Sequence, residues 1–410
     1  MKYLIFLILL YIVDVFQFFG MPTLLIVCHF GMLAIGLYAF TKQFVLGKSR
    51  SAVTWFIGAY CILFPIYASY KSSVIFGQPF YMGVASLRYC SVILFGFVLY
   101  QLNYDYRLLL RQVNRLNLWI AVMSIIAFFF FGINHITVKP FLTSNYLIET
   151  TAIIDKIKGA KLNVCGGLML ISYIYYLIKF LDAPTAKKNW FPFLLLMFYL
   201  CFVSKGRQPQ AAVAIVFAAY FIRMKGLSLK RMAIALLPMI GIVVLTMIDE
   251  RFFLKFTTIL DGLNTRDSST MARIESINKV MPYIVDNFML GFGNLSAHFR
   301  TFGFHTFFGG AFYLADIGIF GTLARGGVVL LLIYFGLYRS LYKKTNEVKD
   351  GESRTFMKYM LLAFVAMLVF LCNDTLFSEN SICVALVFYP LFAIQHPDTF
   401  FPQENDNETL

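Results

Sequence analysis

Charge is what this sequence has least of. Of its 410 residues only 14% are Asp, Glu, Lys or Arg, whereas 60% are hydrophobic and 18% aromatic. Mean hydropathy is +0.73. No soluble fold hides that much apolar surface, while a bilayer needs only about 20 apolar residues per helical span. Acidic residues are the scarcer kind, 21 against 35 Lys and Arg, for a net charge of +14. The seven cysteines (Cys28, Cys61, Cys90, Cys165, Cys201, Cys372, Cys383) are scattered, mostly inside apolar runs, with no metal-type spacing. That excludes a disulfide framework and a zinc site. Internal repeats and low-complexity segments are absent. So are an Asp-x-Asp pair, paired-histidine metal spacing, a phosphate-loop glycine pattern and a nucleophile elbow. These absences argue against a metal-dependent nucleotide-sugar transferase and a serine hydrolase. No metal, cofactor or nucleic-acid partner is expected.

What is there is apolar run after apolar run: near 3–20, 21–40, 54–70, 84–102, 117–134, 162–181, 190–204, 209–223, 232–248, 326–342, 357–373 and 381–395. The runs are continuous, not the alternating ten-residue segments of a barrel, so helices are the expected spanning form. The first resembles a signal peptide but lacks a small-residue cleavage site, and reads as a retained helix. Basic residues punctuate every second connection: Lys42, Lys48 and Arg50; Arg107, Arg111 and Arg115; Lys187 and Lys188; Arg223, Lys225, Lys230 and Arg231; Lys343 and Lys344. Basic loops stay in the cytoplasm. The expectation is an all-α polytopic membrane protein of about 12 transmembrane helices with both termini inside. Its parts would be helices 1–9 over 1–248, one large extracytoplasmic helical loop over 249–325, helices 10–12 over 326–395, and a cytoplasmic tail over 396–410. Within the loop, 307–322 reads as a surface-lying or re-entrant helix because four glycines interrupt it and Lys343 must stay inside.

The polar chemistry concentrates in two outward stretches. One is Ser204-Lys205-Gly206-Arg207-Gln208, between two short spans. Residues 190–223 must cross the membrane twice with 34 residues, where two crossings need roughly 40. Lys205 and Arg207 would then lie slightly below the outer surface, either as functional cations or snorkelling to the headgroups. The other is the 249–325 loop, which carries Arg266, Arg273 and Arg300 with His305 and Asp316. It has helical periodicity: Ile274, Ile277, Met281 and Ile284 on one face, Glu275 and Lys279 paired on another. Arg273 opens this helix after the capping stretch Asp267-Ser268-Ser269-Thr270. It would either grip phosphate through its rigid fork or pair with a carboxylate. His305 can accept a proton near neutral pH or serve structurally. Asp316 would orient a cation or a substrate hydroxyl. Asp14 and His29, at similar depth on consecutive spans, read as a structural hydrogen-bonded pair.

Five of these features, in order, resemble the bacterial O-antigen ligase and polymerase group. Ser204-Lys205-Gly206 is similar to the family's Ser-Arg-Gly at the outer end of a span, and Arg273 to the arginine opening the loop helix. Asn287-Phe-Met-Leu-Gly-Phe-Gly293 resembles the segment ending in Gly-x-Gly. His305 resembles the loop histidine, and Asp316-Ile-Gly-Ile-Phe-Gly321 the acidic turn after it. Lys205, Thr306 and Asp316 depart from the usual arginine, asparagine and glutamate. The resemblance implies a membrane glycosyltransferase of the lipid-linked-oligosaccharide type (GT-C-like) in the bacterial cytoplasmic membrane, with its active site on the outer face. Its donor would be a polyprenyl-pyrophosphate-linked oligosaccharide. His305, Arg273 and Arg207 would be catalytic, while Lys205, Arg88, Arg266, Arg300 and Asp316 would bind substrate, aided by the aromatic loop Phe76, Phe80 and Tyr81. Repeat-unit polymerisation is the preferred activity. Ligation to a lipid A-core acceptor, and flipping or export of lipid-linked glycan, are the alternatives. A chain-length regulator and a flippase would be partners.

Overall fold

A computed structural model describes residues 22–45, 51–86, 89–130, 166–204, 206–223, 268–296, 299, 314–371, 373–378, 380–392 and 400–401. Among them every regular element is a helix. In chain order these are α1 (Pro22–Val45), α2 (Ala52–Phe76, with a π turn at Ala59–Leu63), α3 (Phe80–Ser86), α4 (Tyr89–Gln101), α5 (Tyr106–Phe130) and α6 (Gly166–Asp182). There follow α7 (Lys187–Phe198, continued by a π turn Tyr199–Ser204), α8 (Arg207–Arg223) and α9 (Ser268–Asp286). A 3-10 turn (Leu314–Ile317) leads into α10 (Gly318–Thr345), then α11 (Gly351–Val369) and α12 (Ser381–Phe388).

Local chemistry sets several of these ends. Ser51 caps α2 by accepting from the Thr54 amide at 3.1 Å, and Gly77 closes it in the left-handed region at φ 70°. Asp350 caps α11 through the Ser353 amide at 3.2 Å. Its other oxygen takes Arg107 at 3.1 Å, tying the starts of α5 and α11 together.

The apolar helix α12 is buried along its whole length, packed between α4 and α6. Side chains without charge glue its neighbours: Asn117 on α5 donates to Ser172 on α6 at 2.7 Å, and Ser172 donates to Asn114 at 2.6 Å. Such pairs suit helices whose apolar faces gain little from meeting in lipid. Outward faces are apolar too, with Leu332 64% and Phe370 73% exposed, as a lipid-facing surface requires. Among the described residues two helices, Ala52–Phe76 and Gly318–Thr345, are long and apolar enough to cross a membrane. The twelve-span layout stays an expectation.

The structure alters some details of the expected elements. Helix α9 begins at Ser268, so Arg273 lies in its second turn and does not open it. Its inward face is Ser276, Val280 and Ile284, with Ile274 43% exposed. The Glu275–Lys279 pair forms at 2.5 Å. Helix α10 starts eight residues before the expected tenth span and is broken inside at Gly327 (φ 61°, ψ −158°).

Candidate functional site

The break in α10 organises the surrounding backbone. With Gly327 in a region only glycine adopts readily, the amides of Val328 and Val329 cannot reach the carbonyls of Ala324 and Arg325. They donate instead to Phe288 and Met289 carbonyls at 3.0 and 3.2 Å. In exchange, the Phe292 and Gly293 amides donate to the carbonyls of Ala324 and Arg325 at 2.8 and 3.1 Å. The segment 287–293 thus replaces one turn's worth of helix bonds, which is how broken backbone is tolerated away from water. Its glycines permit the approach. A Cβ on Gly291 would meet the Gly326 nitrogen at 2.5 Å, and one on Gly293 would meet the Ser72 nitrogen at 2.6 Å. Asn294 then reaches α2, donating its amide to Ala68, while Gln78 brackets the same turn through Asn294 and Ser296.

Beneath this junction lies a second apolar cluster: Phe76, Val280, Ile284, Phe292, Leu295, Phe299, Leu314, Ile317 and Ala324. Each such side chain contributes roughly 1.5–3 kcal/mol when fully buried. It seats α9 against the 3-10 turn and α10. Phe76, expected at a glycan-facing loop, is buried here against Tyr283 and Phe292, at 5.7 and 5.5 Å between ring centres. Phe80 and Tyr81 are 46% and 67% exposed.

The junction gathers charge. Asp316, just before α10, is close enough to Arg273 on α9 and Arg325 on α10 to feel both. Burial pushes its carboxyl above the ordinary carboxylate range, and the two arginines pull it partly back. Arg325 is 1% exposed and bonds Asp374 at 2.7 Å, itself 0% exposed. The Phe377 ring covers the guanidinium at 3.5 Å. Asp374 also accepts from Thr322 and Tyr334 at 3.1 Å each, and from the amides of Leu376 and Phe377 at 3.2 Å. Burial raises Asp374 as well, opposed first by Arg325 and then by these donors. Tyr338 and Tyr60 brace the same segment at Thr375 and Leu376, at 2.7 and 2.9 Å.

Arg207 joins through its neighbour. Gln208 donates to the Leu371 carbonyl at 3.0 Å and accepts from Asn373 at 2.7 Å. The start of α8 is therefore fastened to the segment that carries Asp374. Of the residues singled out in the sequence, Arg273 lies within electrostatic range of Asp316, and the helix start bearing Arg207 is fastened beside Leu371 and Asn373. His305, Lys205, Arg88, Arg266, Arg300 and Asp14, with the side chain of His29, lie outside the described residues. Arg325, Asp374 and Asn373 were not singled out in the sequence, and Gln208 only as part of its polar stretch. A lone arginine and a lone aspartate in apolar stretches were the available signal, since such charges at membrane depth need partners. Among the described residues no three His, Cys, Asp or Glu side chains converge to ligate a metal.

These features define a class first: an all-helical protein, apolar outside, with cations and carboxylates gathered where a loop helix meets a broken helix. A family likeness follows from comparison. A family model described as O-antigen ligase matches residues 192–312. The matched segment, under a third of the chain, includes Arg207, Arg273 and the Asn287–Gly293 stretch, and over it the chain is similar to that family. Asp316, Arg325 and Asp374 lie beyond the match. No curated protein matches the chain. Glycan transfer in bacterial envelope polysaccharide synthesis, from lipid-linked substrates at the inner membrane, is what this family carries out.

Proposed function

We propose that this protein polymerises oligosaccharide repeat units on the outer face of the cytoplasmic membrane, from a polyprenyl-pyrophosphate-linked donor onto a glycan acceptor. The observation that carries the proposal is that Arg273 lies within electrostatic range of Asp316 while the α8 start bearing Arg207 is fastened beside Asp374 of the same charged junction, largely within the family segment. The acceptor hydroxyl attacks the anomeric carbon of the donor sugar. The bond from that carbon to the pyrophosphate oxygen breaks, and the pyrophosphate departs with added negative charge. Arg207, Lys205 and Arg273 neutralise it as it forms, which stabilises the transition state more than the ground state. Each charge-assisted bond contributes about 1.5–3 kcal/mol. His305 takes the acceptor proton. Asp316 keeps Arg273 oriented, while Arg88, Arg266 and Arg300 bind donor or acceptor. A flippase supplying the donor and a chain-length regulator are the partners this reaction calls for.

The test is extension of a purified lipid-pyrophosphate-linked repeat unit in detergent, without nucleotide. Arg207→Ala, which removes the charge, and Arg273→Lys, whose point charge does not reproduce the bidentate fork, should each abolish or strongly slow extension at unchanged protein abundance. Full activity in both variants would remove them from the pyrophosphate site. The description of the matched family favours a second reading, ligation to a lipid A-core acceptor. Offering both acceptors to the same preparation separates the two. Movement of glycan across vesicles without any extension would favour a transporter.

A further inference from the structure

The ends of α8 and α11 opposite the candidate site border a half-open cavity of about 480 Å³ lined by Tyr220, Arg223, Arg354, Thr355, Lys358 and Tyr359. Helices α8 and α11 pack along each other. Gln208, at the start of α8, meets the end of α11, whereas Arg223, at the end of α8, meets its beginning. A helix of 17 residues separates the two ends by about 25 Å. The alternation of basic loops puts this end on the cytoplasmic side.

The lining is chemically one-sided. Three of the six residues are cations, the other three carry hydroxyls, and none is a carboxylate or an aliphatic residue. Arg223 and Arg354 both lie within electrostatic reach of Lys358. Like charges held together repel, and an anion between them relieves that repulsion. Of the acidic groups near this end, Asp350 pairs with Arg107 at 3.1 Å and Glu352 with Lys179 at 3.2 Å, while Asp182 accepts from the hydroxyl of Tyr220 at the cavity wall. Arg223 donates to the hydroxyl of Tyr359 within this lining. Positive-inside bias alone requires cations in this region, but it does not require them to converge on a cavity whose remaining wall is hydroxyl.

We propose that this cavity binds a phosphate-bearing anion, supplied either as the headgroup of an anionic phospholipid or as free phosphate. Its volume lies in the range of ligand sites and exceeds what one phosphate fills, and basic pockets between membrane helices suit such headgroups. The site is separate from the proposed pyrophosphate site and does not depend on it.

The test uses the full-length protein in detergent and follows its thermal midpoint. The probes are dihexanoyl phosphatidylglycerol, sodium phosphate and, as zwitterionic control, dihexanoyl phosphatidylcholine. Wild type should be stabilised by the first, the second or both, and not by the third. Stabilisation by phosphatidylglycerol alone identifies a lipid headgroup, by phosphate alone a soluble anion, and by both the shared phosphate chemistry. Arg223→Gln, Arg354→Gln and Lys358→Gln should each weaken the apparent affinity about fivefold, and the triple variant should lose the response. Should the triple variant fail to fold, the single variants carry the test. Lys42→Gln and Arg339→Gln, which remove exposed cations elsewhere, should respond like wild type. No stabilisation by either anion, equal stabilisation by phosphatidylcholine, or an undiminished response in the cavity variants would overturn the proposal.

Discussion

Replacing Asp374 by asparagine leaves the Arg325 guanidinium, 1% exposed, without its counter-charge. Two unit charges about 4 Å apart at an effective dielectric of about 20 attract by about 4 kcal/mol. Breaking a buried pair from one side costs about 3–5 kcal/mol by direct comparison, a large part of a typical domain stability of about 5–15 kcal/mol. Asparagine still offers an oxygen to the Leu376 and Phe377 amides and to Tyr334, which bond the Oδ1 atom at 3.2, 3.2 and 3.1 Å. Most of the loss is therefore the stranded charge. Arg325→Met should cost a similar amount by stranding the carboxylate. The double variant Arg325→Met/Asp374→Asn has no charge to strand and should melt above either single variant. The assay is a double-mutant cycle on thermal or denaturant unfolding in one detergent. A double variant whose loss equals the sum of the two singles would refute the coupling. Wild-type midpoints in both singles would refute the buried pair itself.

The remaining predictions concern the junction and the topology. Gly327→Ala should destabilise by at least about 1–3 kcal/mol from its backbone region alone. The added Cβ would also press on Met289 and Leu290, so thermal melting should fall more than for Gly351→Ala, which has open space. Asp316 binds its proton more tightly in the folded protein than in the unfolded chain, because burial outweighs Arg273 and Arg325. Its contribution to stability is complete below the ordinary carboxylate value and lost as pH rises through the raised one. Asp316→Asn should accordingly flatten the fall of thermal midpoint with pH just above about 4; an unchanged pH profile would contradict the burial argument. A cysteine at Ser269 should react with an impermeant thiol reagent in intact cells, and labelling only after permeabilisation would reverse the assigned sidedness.

Sequence alone carried the helical class, because continuous apolar runs leave a chain few other ways to satisfy its backbone in lipid. It also carried the likeness to the O-antigen ligase family, through the ordered motifs from Ser204 onward, and the Glu275–Lys279 pair, which needs only helical spacing. Arg273 and Asp316 were legible as two polar residues of one loop, though not as charges within electrostatic range of each other. What no local pattern could specify was pairing across distance. Arg325 and Asp374 are 49 positions apart, and each alone reads as a stray charge in an apolar stretch. Gln208 and Asn373 are 165 apart, and nothing in either sequence context names the other. The Asn287–Gly293 segment showed its glycines in sequence, but their reason lies in α10. Only when that helix breaks at Gly327 do four backbone groups need partners, and only a chain without Cβ atoms comes near enough to supply them. Periodicity records which face of a helix is apolar, whereas the choice of partner across 49 or 165 residues is settled by packing geometry and the cost of an unpaired buried group.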